Sequence, residues 1–490
     1  MTPTLAGLRA TVMGLGMHGG GLSTVRYLVD RGATVTVTDL RSESQLAPSI
    51  AQLPPGVRLV LGTHEIEDFR DAHVVVKNPA VPRHAPMLRH ARAITTDIAL
   101  FFAEWCGDRG GETPPGPLVA ITGTKGKSST STATAHLLRP SFPGTQLGGN
   151  ITVSPLSFVE RLGDGDPVVL ELSSFQLGDI AFCRWYNAET DGGDNLPNAL
   201  WRRALHPVVP ATVAVITNIF RDHQDYYPSM EAYVEDKREI YRHLLPGGTV
   251  IFGNTSDSWG DSFVKECRRR YGDEAVRSGD PADDSFDSWL PDRLLVAGEH
   301  SRRNVHIAAM AAGIIGVPHD EIRSAAATFT GVPHRLEPVA SIPAATIIND
   351  SAATIPEAAL AAVRSFSGPV CLIAGGSDKE LDPEPLIRAA AEVITRGGGV
   401  FLLAGSATTA ITGHLSRRSI PYAGPFDSLE RAFSAAVAAA QAIADVPDAS
   451  EHSDDTVILL SPGCASFGMF ANEFDRGDQF RALAQRAVHG

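Results

Sequence analysis

The sequence predicts an α/β protein whose parallel sheets form three domains. Apolar runs of strand length alternate with helical stretches, as in a buried parallel sheet. Two Gly-rich turns, at 14–19 and 123–128, each lie between such a strand and a helix. Two irregular stretches divide the chain, GDRGGETPPGP at 107–117 and GVP at 331–333. We therefore expect domains at residues 1–108, 109–330 and 331–490.

The first domain is predicted to be Rossmann-like. A strand at 11–16, a helical stretch and a second strand at 33–40 give the βαβ order. The turn reads GLGMHG from Gly14, and Asp39 ends the second strand about twenty residues further on, as in a dinucleotide fingerprint. The same turn also binds other diphosphates. A nicotinamide-dependent oxidoreductase is therefore one candidate function.

The second domain carries a phosphate loop of the P-loop ATPase type. Residues 117–129 read PLVAITGTKGKSS, a strand, a Gly-rich turn and the start of a helix. Backbone N–H groups of Gly123 to Ser128 are expected to face an anion, with Lys127 on the terminal phosphates and the Ser128 hydroxyl on Mg²⁺. Hydride transfer does not explain this second loop, so an enzyme that uses a nucleoside triphosphate is favoured over an oxidoreductase.

Metal chemistry is predicted beside this loop. Glu171 ends the apolar strand of PVVLELSSFQL, which we expect to pair with the phosphate-loop strand. The strand at 211–218 leads into NIFRDHQD, which presents His223 where parallel sheets bind ligands. Lys237, in VEDKREIY, lies in a context that by itself indicates a solvated surface lysine.

The third domain is predicted to be Rossmann-like as well. Continuous apolar strands at 345–350, 369–377, 399–406 and 456–463 are separated by Ala-rich helical stretches. Residues 432–444 are expected to form a helix, followed by a polar loop at 447–455.

Composition narrows the function classes. The formal charge of −14 disfavours nucleic acid and anionic membranes as partners. Five scattered cysteines indicate a reduced compartment, and no apolar stretch is long enough for membrane insertion. We therefore expect a cytoplasmic protein, acting as a monomer.

Seven linked motifs are similar to those of the Mur ligase family, in order and approximate spacing over nearly the whole chain. They are GTKGKS at 123–128, GGNI at 148–151, ELSSFQL at 171–177, TNIxxDHxD at 217–225, YxxxK at 233–237, GxHxxxNxxxA at 298–308 and GVPHR at 331–335. Five further motifs resemble the D-glutamate-adding branch: GLGMHGGG at 14–21, KNP at 77–79, NDS at 349–351 with Thr354, GG at 375–376 with Lys379, and SPGCASF at 461–467.

The resemblance implies ATP-dependent amide formation between UDP-N-acetylmuramoyl-L-alanine and glutamate through an acyl phosphate, in peptidoglycan precursor synthesis. It implies catalytic roles for Lys127, His223 and Lys237, and two Mg²⁺ ions at Ser128, Glu171, His223 and a carbamylated Lys237. Implied ATP contacts are Gly123, Thr124, Lys125, Gly126, Lys127, Ser128, Ser129, Asn304, Arg335 and Asp350. Implied contacts of the UDP substrate are Gly16, Met17, His18, Asp39, Asn150 and Ser173, and those of glutamate are Thr354, Lys379, Ser466 and Phe467.

Some features depart from the family pattern or leave alternatives open. Ala80, Ser301 and Ala352 replace residues common in the family, and residues 184–203 form an insertion that is either functional or disordered. Within this class the alternatives are a ligase that adds L-glutamate and a folylpolyglutamate synthetase-like enzyme. The latter family lacks the nucleotide-binding block at 14–39.

Overall fold

The computed structural model describes residues 5–16, 20–107, 113–151, 153–190, 199–224, 226–253, 258–279, 288–296, 299–378, 381–445 and 456–489. Three sheets flanked by helices confirm the predicted α/β class. The chain divides into two compact units: Met1–Asp292 with His300–Ala327, and Arg293–Glu299 with Thr328–Gly490. Within the described ranges, no helix is long and apolar enough to cross a bilayer.

The first sheet is parallel throughout and has the order β3-β2-β1-β4-β5, as a Rossmann-like domain requires. Its strands are β1 Arg9–Met13, β2 Thr34–Asp39, β3 Arg58–Leu61, β4 Val74–Lys77 and β5 Ile94–Thr95. Its helices are α1 Gly20–Asp30, α2 Glu43–Ile50, α3 Ile66–Arg70 and α4 Asp97–Cys106. The strand order reverses at β1, and ligands bind at such a switch point in open α/β sheets.

The second sheet belongs to the same unit and is also parallel, in the order β11-β10-β9-β6-β8-β7. Its strands are β6 Leu118–Thr122, β7 Gln146–Gly149, β8 Val168–Glu171, β9 Val213–Ile216, β10 Thr249–Phe252 and β11 Val276–Ser278. Its helices are α5 Lys127–Leu138, α6 Ser174–Thr190, α7 Ala199–Leu205, α8 Met230–Arg238, α9 Ser258–Tyr271, α10 Glu299–Ile315 and α11 His319–Ala327. The predicted pairing of the Glu171 strand with the phosphate-loop strand is confirmed.

The third sheet lies in the second unit, in the order β12-β13-β17-β14-β15-β16. Its strands are β12 Glu337–Ile342, β13 Ala345–Asn349, β14 Val370–Ala374, β15 Gly399–Leu403, β16 Ala423–Phe426 and β17 Val457–Leu460. Its helices are α12 Pro356–Arg364, α13 Glu384–Thr395, α14 Thr408–Arg417, α15 Leu429–Ala444 and α16 Glu473–His489.

The four strands predicted in this third domain form the parallel interior of the sheet, and the helix at 432–444 is part of α15. The edge strands β12 and β16 were not predicted from the sequence, and β12 runs antiparallel to β13. Edge strands are partly exposed, so they lack the continuous apolar run of a buried strand. The loop predicted at 447–455 lies outside the described residues.

The described part of the insertion at 184–203 contributes side chains to the core. It extends α6 and begins α7, whose Trp201 is completely buried. The side-chain amide of Asn187 donates to the carbonyls of Ile94, Cys183 and Leu205 at 2.7–3.0 Å. These hydrogen bonds connect the insertion to β5, α6 and α7. The described part of the insertion therefore has a structural role.

Trp201→Ala is expected to lower the free energy of unfolding by about 3–5 kcal/mol, because it leaves a large cavity in a packed core. Urea denaturation followed by circular dichroism would measure the loss. The matched control is Trp185→Ala, since Trp185 lies on the described α6 segment with 69% of its surface exposed. Equal effects of the two substitutions would contradict the core role of α7.

Candidate active site

The phosphate loop after β6 is a tight cradle that depends on two glycines. Gly123 and Gly126 have φ angles of 145° and 81°. A Cβ at 123 would lie 1.9 Å from Thr217 Oγ1, and one at 126 would lie 2.7 Å from Asn304 Oδ1. Side chains are therefore excluded at both positions. The close approach also places Asn304 beside the loop, where the sequence predicted a nucleotide contact.

The end of β9 holds this loop in shape. The backbone N–H of Thr124 donates to the Asn218 carbonyl, and that of Lys125 donates to Asn218 Oδ1, both at 2.9 Å. Thr124 Oγ1 is hydrogen-bonded to the Tyr233 hydroxyl at 2.9 Å. The expectation that every N–H from 123 to 128 faces an anion is therefore wrong for Thr124 and Lys125, which brace the loop instead.

Lys127 begins α5 and its side chain folds back over the loop. Its ammonium donates to the carbonyls of Gly123 and Thr124 at 3.1 and 3.0 Å. Ser128 and Ser129 follow in the first helical turn and are partly buried. A helix N-terminus with an adjacent ammonium attracts anions, so this corner suits a polyphosphate.

Glu171 is a buried carboxylate at the carboxyl end of β8. The residue is only 1% exposed, and its Oε1 accepts a hydrogen bond from Asn150 Nδ2 at 3.0 Å. Its Oε2 is buried without a hydrogen-bond partner among the described residues. A buried, unbonded carboxylate oxygen is costly unless a cation binds it. Asn150, predicted to contact the UDP substrate, thus also orients Glu171.

His223 lies on the loop after β9 with its backbone in the left-handed region, at a φ of 53°. Its ring packs edge-on against Phe175, with 4.9 Å between centroids, and 43% of its side chain is exposed. In the part of the chain that the structure describes, no three His, Cys, Asp or Glu side chains converge as a metal site, and Asp225 lies outside that part. This is compatible with Mg²⁺, which proteins often hold with one or two side chains and substrate phosphates.

Lys237 is buried, so its interpretation as a surface lysine is wrong. The residue is 1% exposed, its Nζ donates to the Gly123 carbonyl at 2.9 Å, and it lies 4.6 Å from the centre of the Tyr233 ring. Burial, and then the nearby positive charge of Lys127, hold the pKa of Lys237 well below its usual range. The sequence signal was the i, i+4 spacing of Tyr233 and Lys237, which puts both on one face of α8.

A cavity of about 500 Å³ lies at the switch point of the first sheet. Gly16 and Asp39, which were predicted to contact the UDP substrate, line this cavity. Met17 and His18, predicted for the same role, lie outside the described residues. One Asp39 carboxylate oxygen accepts from the backbone N–H of Leu15 at 3.0 Å. The other accepts from the N–H of Arg41 at 3.0 Å. Asp39 therefore shapes the glycine turn.

Ser173, also predicted for the UDP substrate, caps the first turn of α6. Its hydroxyl accepts from the backbone N–H of Gln176 at 3.2 Å and lies 3.1 Å from Gln176 Oε1. Its side chain is partly buried, so a substrate contact has to coexist with this local pairing.

In the second unit, Asp350 supports the turn that carries Arg335. Its Oδ1 accepts from the Leu336 N–H at 3.1 Å and its Oδ2 from the Ser461 hydroxyl at 2.7 Å. Burial raises the pKa of Asp350 to about 6. Arg335 itself is exposed. The geometry makes Asp350 a support for this turn, and its contact with a ribose stays a prediction.

Three of the four residues predicted to bind the glutamate substrate lie in the described part of the same unit. Thr354 lines a small cavity of about 60 Å³ with Ser377 and Gly463. Ser466 is buried, whereas Phe467 is 56% exposed and its carbonyl accepts from the Ser377 hydroxyl. Lys379 lies outside the described residues.

Two ion pairs that were not predicted from the sequence join the two sheets of the first unit. Lys77 Nζ lies 2.6 Å from Asp179 Oδ2, with both side chains at most 1% exposed. Arg83 pairs with Asp236, the residue before Lys237. Only the fold brings these partners together, since each pair is about a hundred residues or more apart in the sequence.

The chain matches two family models, the N-terminal domain described as Mur ligase MurD-like over residues 9–99 and the Mur ligase middle domain over residues 198–312. It is 39% identical to the UDP-N-acetylmuramoylalanine–D-glutamate ligase of Roseiflexus sp. (strain RS-1), covering 98% of this chain and 99% of that one. It is 34% identical to the ligase of the same name from Treponema pallidum (strain Nichols), covering 98% and 97%. A solved structure of MurF from Acinetobacter baumannii has the same fold, with 16% identity, a TM-score of 0.51 and coverage of 94% and 86%.

Proposed function

The chain belongs to the Mur ligase family, and on that premise we propose that it is the ATP-dependent ligase that joins D-glutamate to UDP-N-acetylmuramoyl-L-alanine. The relatives that carry this name align over nearly their whole length, which supports the transfer of their activity. The structural observation that carries the proposal is the convergence of Lys127 and Lys237 on the Gly123 carbonyl, with Glu171 close enough to act on Lys237 electrostatically.

The first chemical step transfers the γ-phosphoryl group of ATP to the alanyl carboxylate and gives an acyl phosphate. The amine of glutamate then attacks the acyl carbon, a tetrahedral intermediate collapses, and phosphate leaves as the amide forms. In such reactions a protein contributes mainly position and charge. We assign the charge to Lys127, whose ammonium would exchange its hydrogen bonds to two loop carbonyls for phosphate oxygens, and the cradle to Gly123 and Gly126.

Two Mg²⁺ ions, when bound, would neutralise the transferring phosphoryl group. The residues present fit such ions, because Glu171 has a buried oxygen without a hydrogen-bond partner among the described residues and Ser128 lies in the first turn of the adjacent helix. His223 is proposed as a ligand from the neighbouring loop. Lys237 is proposed to act as a carbamate, because its buried amine has a lowered pKa, and the neutral amine is the form that reacts with CO₂. A carbamate replaces a cation by an anion that can bind metal.

The remaining assignments follow the same chemistry. The cavity lined by Gly16 and Asp39 is proposed to hold the UDP end of the substrate, and the region of Thr354 and Ser466 the glutamate. We further propose that the enzyme acts in the cytoplasm, where ATP and UDP-linked precursors are available, and that it acts as a monomer.

The test is phosphate release from ATP with UDP-N-acetylmuramoyl-L-alanine and a panel of D- and L-amino acids. We expect release with D-glutamate and little with L-glutamate or when either substrate is omitted. Preference for L-glutamate, or for a folate substrate, would assign the chain to another ligase activity. Tight NADH binding without ATP binding would reject the ligase.

Glu171→Gln and His223→Ala are expected to raise the Mg²⁺ concentration needed for half-maximal rate, because each removes a proposed ligand. Initial rates over a Mg²⁺ titration would measure the change. Glu231→Gln and His206→Ala, at exposed positions of the same unit, are the matched controls. An unchanged Mg²⁺ requirement in soluble Glu171→Gln protein would remove Glu171 from the metal site.

A further inference from the structure

One segment of the first unit touches both the cavity and the helices behind it. Residues 77–87, which we call the cavity loop, begin at the last residue of β4. The loop contributes much of the cavity lining through one set of residues: Asn78, Ala80, Val81, Pro82, Ala85, Pro86 and Met87. A molecule that fills the cavity therefore contacts this loop along most of its length.

Two cationic side chains of the cavity loop form ion pairs with helices that flank the second sheet. Lys77 forms its buried ion pair with Asp179 on α6. Arg83 donates from Nη1 to Asp236 Oδ1 on α8 at 3.1 Å and from Nη2 to Asp236 Oδ2. Arg83 Nη1 also donates to the Gly178 carbonyl of α6 at 3.3 Å. The cavity loop is thus bonded to both helices.

Asp236 occupies a site built for its carboxylate. The Tyr227 hydroxyl donates to Asp236 Oδ2 at 2.8 Å. A Cβ at Gly178 would lie 2.2 Å from that same oxygen, so α6 and Asp236 approach closely only because residue 178 is glycine. A two-pronged Arg–carboxylate pair with so little room fixes orientation as well as distance.

The next residue along α8 is Lys237, which meets the phosphate loop. Neighbouring residues on a helix are separated by about 100° around its axis, so Asp236 faces the cavity loop while Lys237 bonds to the Gly123 carbonyl. Tyr233, one turn earlier on α8, is hydrogen-bonded to Thr124 of the phosphate loop. Both the rotation and the position of α8 therefore depend on what holds Asp236.

We propose that Arg83 is a positioning residue. It couples ligand binding in the cavity of the first sheet to nucleotide binding at the phosphate loop, acting through Asp236 on Lys237. The proposal rests on the proposed function, which puts the UDP substrate in the cavity and ATP on the phosphate loop. Binding of the UDP substrate against the cavity loop strengthens the Arg83–Asp236 pair and so holds α8 in the position that suits the nucleotide. By linkage, the nucleotide then tightens binding of the UDP substrate by the same factor.

The experiment measures the dissociation constant of the β,γ-imido analogue of ATP with Mg²⁺ by calorimetry, with and without saturating UDP-N-acetylmuramoyl-L-alanine. In the wild type we expect the UDP substrate to tighten nucleotide binding about tenfold, within the usual range of coupling between two sites. In Arg83→Met the ratio should fall to about one. Nucleotide affinity without the UDP substrate should change little, because Tyr227 still bonds to Asp236 and Tyr233 still bonds to Thr124 of the phosphate loop. A general loss of structure would instead weaken nucleotide binding under both conditions.

Three further variants make the result specific. Arg58→Met is the matched control. Arg58, in the first sheet, also pairs with two acidic partners, Glu65 and Asp68, and its loss should keep the wild-type ratio. Asp236→Asn should lower the ratio, and adding Arg83→Met to it should lower it no further, because both changes break one link. Arg83→Lys keeps the charge without the two-pronged geometry and should give an intermediate ratio.

A ratio near one in the wild type, or an unchanged ratio in Arg83→Met, overturns the inference. If Arg83→Met is insoluble, unchanged ratios in both Arg83→Lys and Asp236→Asn overturn it as well. Failure of the wild type to release phosphate with D-glutamate would instead reject the proposed function. Normal turnover with an unaffected ratio in the Arg83 variants would reject the coupling alone.

Discussion

Lys127→Ala is expected to reduce phosphate release by about 10³-fold or more while the protein stays folded. One well-placed donor to transition-state charge is worth about 10²–10³ in rate, and Lys127 adds a full charge at the start of α5. Its ammonium donates to two loop carbonyls, and its side chain is not part of the hydrophobic core. Turnover measured at saturating ATP and both substrates would show the loss.

The control for this prediction is Lys265→Ala. Lys265 is an exposed lysine on α9 that pairs with Asp261 four residues earlier, and its loss should leave turnover unchanged. Circular dichroism and thermal unfolding of both variants would show whether the fold is kept. Phosphate release near the wild-type rate in folded Lys127→Ala protein would remove this lysine from the reaction.

Lys237→Ala is expected to be nearly inactive and to recover part of its activity with excess formate or acetate. If Lys237 acts as a carbamate, its replacement by alanine deletes a buried anion and leaves space for a small carboxylate. A lysine that acts as a cation on phosphate would instead be rescued by a small amine. Initial rates with added acetate and, separately, methylamine distinguish the two roles.

The same hypothesis predicts a dependence on pH and bicarbonate. Carbamate formation consumes the neutral amine, and burial lowers the pKa of Lys237, so the neutral form is more abundant near neutral pH than for an ordinary lysine. As pH falls through that lowered pKa the amine takes up a proton, and activity should decline toward acid and recover with added bicarbonate. Rescue of Lys237→Ala by methylamine and not by acetate would exclude the carbamate.

Much of the fold was predictable because strand cores in parallel sheets are continuously apolar. The strands that carry the phosphate loop, Glu171 and the Asn218 turn were all located from such runs, and their pairing follows from the α/β order. The phosphate loop itself was recognisable because its glycines and Lys127 lie close together in the chain. Local chemistry of this kind can be read without knowing the tertiary structure.

Burial of polar groups was not predictable in the same way. Lys237 lies in a helix of mostly charged residues, and its own context gave no sign that it is buried beneath the phosphate loop. The insertion at 184–203 was expected to be either functional or disordered, although two of its residues, Asn187 and Trp201, are buried in the core. In both cases the partners come from elements far away in the sequence.

The sequence by itself determined the three-domain α/β class, the two Gly-rich turns and the family membership of this chain. Only the tertiary structure decided which charged residues became internal: Lys77 with Asp179, Arg83 with Asp236, and Lys237 against Gly123. The physical reason is that apolar periodicity and glycine turns are local properties of the chain. A buried charge, in contrast, is tolerated only when a distant partner satisfies it, and the packing of the sheets supplies that partner.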